Sequence, residues 1–143
     1  MRFVDLFSGI GGFHLAISNC LGKSAQLVGG SEIDDVAHRV YQRAFSTDIP
    51  INKDICNLVS GKADEWGLPQ FDICLAGFPC QPYSNVGKRN GLSDERSWVF
   101  YDLVRALEYY RPKLFVLENV EKIKMRKLFR GFFGFHIYTY EIT

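Results

Sequence analysis

The chain has 143 residues, 47% hydrophobic and 23% charged, with a formal net charge of +1. This describes one domain at most, apolar enough to bury a core. The balanced charge excludes binding of nucleic acid through a global basic field, and no run approaches the roughly 18 apolar residues of a membrane span.

Arg2 to Leu6 reads as a short apolar strand, with Asp5 and the glycines that follow interrupting any signal-peptide core. Phe7 to Gly12 is a glycine-rich turn. Phe13 to Leu21 has helical spacing, with Ala16 and Ile17 among its inward positions. Gln26 to Gly30 is a second strand ending in Ser31-Glu32, and Asp34 is placed to cap a helix through Ala37, Val40, Tyr41 and Ala44, closed by Pro50. Ile51 to Ile55 is a short third strand, and Gly61 to Pro69 a surface segment. Phe71 to Ala76 is the strand before Gly77-Phe78-Pro79-Cys80-Gln81-Pro82-Tyr83-Ser84. Asn85 to Asp94 is a polar loop, and Ser93 or Asp94 can cap the next helix, where Val99, Leu103, Ala106, Leu107 and Tyr110 form an apolar stripe. Pro112 ends that helix. Leu114 to Leu117 is a buried strand followed by Glu118-Asn119, and Phe135 to Ile142 is a candidate last strand.

Strands alternating with helices imply an α/β fold with a mostly parallel sheet. The glycine turn, the Pro-Cys turn and Glu118-Asn119 each follow a strand, so all three fall on the carboxyl edge, where open α/β sheets bind ligands.

Of the four cysteines, none forms a Cys-x-x-Cys pair, so neither a zinc site nor another metal site is indicated. Reduced thiols and a cytoplasmic location follow. Cys20, Cys56 and Cys74 read as small core residues. Cys80 stands apart, because the prolines at 79 and 82 stiffen an exposed turn suited to a nucleophile.

The glycines at 9, 11 and 12 allow a ligand to approach the backbone, although a packing turn accounts for them equally well; they match neither a dinucleotide fingerprint nor a phosphate loop. Glu32 lies where an acid can hold ribose hydroxyls, or where it simply complements a helix amino terminus. Asp54 is either an acceptor for an adenine amino group or a solvated turn residue. Glu118 is either an edge carboxylate or, facing Cys80 in a desolvated pocket, an acid.

Asp5 to Phe13, Glu32, Lys53-Asp54-Ile55, Gly77 to Ser84 and Glu118-Asn119-Val120 stand in the order and spacing of the DNA (cytosine-5)-methyltransferases. The resemblance runs from Arg2 to Val120 and includes the loop Gly87-Lys88-Arg89-x-Gly91-Leu92-x-Asp94-x-Arg96. It implies a Rossmann-like S-adenosylmethionine-dependent methyltransferase fold with helices on both faces of the sheet, incomplete at the carboxyl end. Residues 1–143 would be a single partial catalytic domain. The implied reaction moves a methyl group from S-adenosyl-L-methionine to carbon 5 of a flipped cytosine through a covalent Cys80 adduct, with Glu118 bonding the ring. Phe7, Gly9, Gly11, Gly12, Glu32, Asp54, Ile55, Pro79 and Val99 would bind the cofactor. Gln81, Ser84, Lys88, Arg89 and Arg96 would meet the nucleic acid, DNA or equally an RNA. For Lys88, Arg89 and Arg96 a solvated charge is an equal reading.

After Val120 the match fades. The Gln-x-Arg-x-Arg-type element, the target-recognition domain and the Asn-rich segment that packs on the cofactor side are absent from the sequence, and an active enzyme of this type needs roughly twice the length. Lys122, Lys124, Arg126, Lys127 and Arg130 read as a solvated helix face in preference to a DNA patch, while Phe129, Phe132, Phe133 and Phe135 read as core residues lacking a cover, which predicts poor solubility or self-association. Three states follow: an active amino-terminal part of a restriction-modification enzyme, a catalytically silent cofactor-binding remnant, or half of an enzyme completed by a separate polypeptide. The silent remnant is the preferred reading for the chain alone.

Overall fold

The structure, a computed structural model, describes residues 1–47, 51–52, 54–55, 68–79 and 98–118, with only the backbone of Asn52 and Trp98. The expected Pro50, Cys56, the surface segment before Leu68, the Cys80 turn, the loop and cap at 85–94, and everything after Glu118 lie outside the described residues.

Five strands form one sheet in the order β3-β2-β1-β4-β5: β1 (Arg2–Leu6), β2 (Gln26–Ser31), β3 (Ile51–Asn52), β4 (Ile73–Gly77) and β5 (Leu114–Glu118). Every pairing is parallel. Among the described residues three α-helices accompany them: α1 (Gly12–Leu21), α2 (Asp35–Phe45) and α3 (Trp98–Tyr110). From β1 the chain steps outward through α1 and α2 to β3, and later steps the other way from β4 through α3 to β5. Right-handed crossovers in opposite directions put α1 and α2 on one face and α3 on the other. The reversal falls between β1 and β4, which opens a crevice at their carboxyl ends.

Period-two alternation sorts the core. Val4, Leu6, Cys74 and Ala76 pack with Phe100, Leu103, Val104, Leu107 and Tyr110 of α3. Phe3, Leu27, Ile51, Ile73 and Leu75 pack on the other face with Tyr41 and half-buried Phe13, Ile17, Leu21 and Phe45. The expected α3 stripe is the buried one: Leu103, Ala106, Leu107 and Tyr110 are buried, and Val99 is half-buried against the same core. The helix stops where Arg111 turns left-handed at φ 46°, before Pro112. The Asp34 cap forms as read, its Oδ1 accepting from the Val36 and Ala37 amides at 2.7 and 2.9 Å.

Several elements differ from the sequence reading. β3 holds two residues, and β4 begins at Ile73, with Asp72 tied to both flanking strands just ahead of it. The Asp72 amide donates to the Arg2 carbonyl at 2.8 Å, and its carbonyl accepts from the Leu114 amide at 3.1 Å. Its carboxylate takes the Arg2 amide at 3.0 Å and the Lys113 Nζ at 2.7 Å. Lys113 therefore holds the Asp72 carboxyl below its ordinary range. On α2, Val40 and Ala44 are exposed, because Tyr41 and Phe45 set the inward line.

Two expected core residues of α1, Ala16 and Cys20, are exposed. The inward line of α1 runs through Phe13, Ile17 and Leu21, which turns these two onto its flank. Nor is β5 buried: its residues alternate exposed and half-buried, because only its α3 face is covered among the described residues. No described helix is long and apolar enough to cross a membrane.

Candidate active site

β1 leaves the sheet through a turn of unusual backbone. Phe7 (φ 56°), Gly9 (φ 53°) and Gly11 (φ 95°) are all left-handed, so the chain folds back within five residues and starts α1 at Gly12. Gly11 is required on two counts. A Cβ there would sit 2.1 Å from Phe45 Cε2, and its φ is one that side-chain-bearing residues rarely adopt. Gly9 and Gly12 differ, since a Cβ on either meets nothing within 4 Å. Open space beside these two glycines is what a ligand approaching the backbone needs.

The turn is tied to the end of β2. The Phe7 amide donates to Ser31 Oγ at 3.1 Å and the Ser8 amide to the Ser31 carbonyl at 2.9 Å. Glu32 then ties the turn to the start of α2: its Oε2 accepts from the Gly9 amide at 2.7 Å and its Oε1 from the Asp34 amide at 2.7 Å. Each oxygen retains a lone pair, so the carboxylate is fixed in place yet still able to accept from a diol. The first turn of α1 holds no acidic residue and has no side-chain cap, which leaves the positive end of its dipole facing the crevice without a charge of its own.

On the other side of the crevice, β4 and β5 pair so that Gly77 stands opposite Glu118. Glu118 Oε2 lies 3.4 Å, and Phe13 Cε2 3.6 Å, from where a Cβ on Gly77 would be. Glu118 is thus set beside the strand end that leads, through buried Phe78 and exposed Pro79, to Cys80. Its side chain is exposed, so the described residues do not supply the desolvation an acid role asks for. Asp54 is half-buried, while Ile55 is 2% exposed within the α3-side core beside Val99. Cys80, Gln81, Ser84, Lys88, Arg89 and Arg96 lie outside the described residues.

Beneath the glycine turn is a polar cluster that the sequence reading missed. Asp5 is fully buried, and neither of its carboxylate oxygens completes a hydrogen bond among the described residues. Burial pushes its carboxyl up to about 7, opposed by the nearby His14 amide and Tyr41 hydroxyl and assisted by the charge of Glu32. Tyr41 shares a hydrogen bond with His14 Nδ1 at 2.8 Å, and burial raises the phenol. His14 is stacked on Phe45 with ring centroids 3.9 Å apart, and burial lowers its pKa. The signal was present in the sequence: in a strand that alternates faces, Asp5 shares the inward side of Phe3.

A crevice at the reversal of a parallel sheet, with a left-handed glycine turn on one strand and an acid on the next, defines a Rossmann-like cofactor-binding domain. The family model for C-5 cytosine-specific DNA methylase matches residues 1–132. The chain is 43% identical over 123 residues to the type II methyltransferase M.HpaII of Haemophilus parainfluenzae, covering 85% of this chain and 32% of that protein. To the type II methyltransferase M.BsuFI of Bacillus subtilis it is 40% identical over 121 residues, covering 85% and 27%. The solved S. pombe Dnmt2 methyltransferase superposes with a TM-score of 0.68 at 26% identity, covering 91% of this chain and 41% of that one. The chain belongs to the C-5 cytosine-specific DNA methylase family, and spans about a third of the length of these curated relatives.

S-adenosylmethionine is the methyl donor of that family. The residues present fit it: open space at Gly9 and Gly12, an α1 amino terminus without an acidic residue or a side-chain cap, and the lone pairs of a fixed Glu32.

Proposed function

We propose that this chain is the cofactor-binding and thiol-bearing part of a type II restriction-modification DNA (cytosine-5)-methyltransferase. One observation carries the reading: the β4–β5 register that sets Glu118 beside the strand end leading to Cys80. Phe7, Gly9, Gly11 and Gly12 receive the methionine and adenine portions of the cofactor, Glu32 the ribose, and Asp54 with Ile55 the adenine, while Pro79 and Val99 complete the wall.

In this reading the Cys80 thiolate adds to carbon 6 of a cytosine flipped out of the duplex. Glu118 bonds ring nitrogen 3 and the exocyclic amine, and so holds the electron density the addition brings. S-adenosylmethionine supplies the methyl group that carbon 5 takes. Loss of the carbon 5 proton and departure of Cys80 then restore the ring. Gln81, Ser84, Lys88, Arg89 and Arg96 contact the nucleic acid, in the cytoplasm.

Because the chain spans 27–32% of these type II relatives, we take the isolated chain to bind cofactor without turning over. The remaining length of such an enzyme, on this polypeptide or on a complementing one, supplies the DNA hold and the sequence selection. The test is methyl transfer from labelled cofactor to DNA and, in parallel, to RNA, by the chain alone and after adding the part of M.HpaII beyond its stretch of similarity. The chain alone is silent, the completed pair methylates DNA, and Cys80→Ser abolishes transfer. Transfer that survives Cys80→Ser contradicts the mechanism, and transfer to RNA alone reassigns the substrate.

A further inference from the structure

Asp5 is wholly buried, and neither carboxylate oxygen completes a hydrogen bond among the described residues. A charge buried in this way calls for an opposite charge. The groups that face it do not supply one. From α1 comes the His14 amide, from α2 the Tyr41 hydroxyl, and from the end of β2 the Glu32 carboxylate. On β4 the buried Cys74 thiol feels its charge. Burial lowers the His14 ring, whose Nδ1 is bonded to Tyr41, so it brings no cation at neutral pH. Glu32 deepens the deficit, because it is itself an acid.

The position of Asp5 says where the missing charge arrives. Asp5 stands one residue before the end of β1 and beside the first turn of α1, so the glycine turn is the layer between it and the crevice. On the outer side of that turn, a Cβ on Gly9 or Gly12 meets nothing within 4 Å. Glu32 belongs to both places: it holds the Gly9 amide, and its charge acts on Asp5. At an effective dielectric constant of about 20, a unit charge within about 10 Å changes the ionisation constant of a carboxyl roughly tenfold. A group seated against these glycines is close enough to do so.

The methyl donor and its product differ in this respect. S-adenosylmethionine carries a sulfonium cation, and S-adenosylhomocysteine has a neutral thioether at the same atom.

We propose that Asp5 is a specificity-determining residue that favours the methyl donor over the demethylated product, by ionising when the sulfonium enters the crevice and taking up a proton again when the product stands in its place. The inference rests on the reading that this crevice receives the cofactor. The bond that breaks and re-forms is the Asp5 O–H, and the proton is exchanged with the buffer. The sign follows from the carboxyl's starting point of about 7. The donor prefers the ionised form, so its affinity rises with pH, by about sixfold between pH 5.5 and pH 7.5 for a tenfold change in the ionisation constant. The product, without the cation, shows no such rise.

Calorimetric titration of the chain with each ligand, in phosphate and in imidazole buffer, measures the protons exchanged. At pH 6.5, S-adenosylmethionine releases about half a proton and S-adenosylhomocysteine none. Asp5→Asn keeps the shape of the side chain without its charge. It abolishes the release, weakens the donor about eightfold at pH 7.5 and hardly at pH 5.5, and leaves the product's affinity unchanged. Equal proton release with both ligands overturns the proposal, and so does release that persists in Asp5→Asn. A variant that weakens both ligands alike overturns it in favour of a purely structural role. Binding of neither ligand overturns the crevice reading as well, whereas binding of both with no difference in protons refutes the role of Asp5 alone.

Discussion

The two sides of the crevice are built differently. On the β1–β2 side the groups are fixed by backbone: three left-handed residues shape the turn, and Glu32 is held at both oxygens by the Gly9 and Asp34 amides. On the β4–β5 side, Glu118 is set only by strand register and stays exposed. In the proposed reading the side that receives the cofactor is held by bonds within the described residues, and the side that receives the base is set by strand pairing alone.

The largest test of that contrast is Gly11→Ala. The added Cβ meets Phe45 at 2.1 Å and forces a left-handed alanine, which costs about 2–4 kcal/mol of stability and weakens cofactor binding with it. A thermal midpoint equal to the parent's refutes the turn's role.

Next is the buried carboxyl under the turn. Asp5 rises from 3.8 to about 7 on folding, so the folded chain keeps a proton that the unfolded chain releases. The stability this contributes is complete below about pH 4 and is lost as pH climbs through 7. Asp5→Asn escapes that loss, and gains on the parent by roughly 3 kcal/mol between pH 5 and pH 8. Denaturation curves at the two pH values decide, and a difference that ignores pH contradicts the account.

The smallest effect belongs to the acceptor side. Glu118→Gln changes the stability of the isolated chain by less than about 0.5 kcal/mol and leaves cofactor affinity alone. A large loss of either joins the two sides that we separate.

Much of this was legible in the chain. The alternation of strands and helices was enough for the parallel sheet, and Asp34 and the α3 stripe were readable one by one. Glu32 was recognisable as an acid at a strand end, but its grip on Gly9 was not, because that bond joins residues brought together only by the β1–β2 pairing. Periodicity told which residues of α1 are apolar, and not which flank has a neighbour, so Ala16 and Cys20 were read as inward. Leu114 and Val116 were read as buried for the same reason: an apolar strand looks the same whether or not its second face is covered. Asp5 was read as a break in an apolar run and as the start of the glycine motif, and its burial went unread because its neighbours explain the strand without it.

The central claim is that this chain by itself holds the cofactor through the glycine turn and Glu32. Isothermal calorimetry with S-adenosylhomocysteine, the demethylated product, tests it most directly. The account predicts one-to-one binding by the isolated chain that Glu32→Ala weakens about tenfold or more. No binding by the parent chain, or equal binding by the variant, contradicts it.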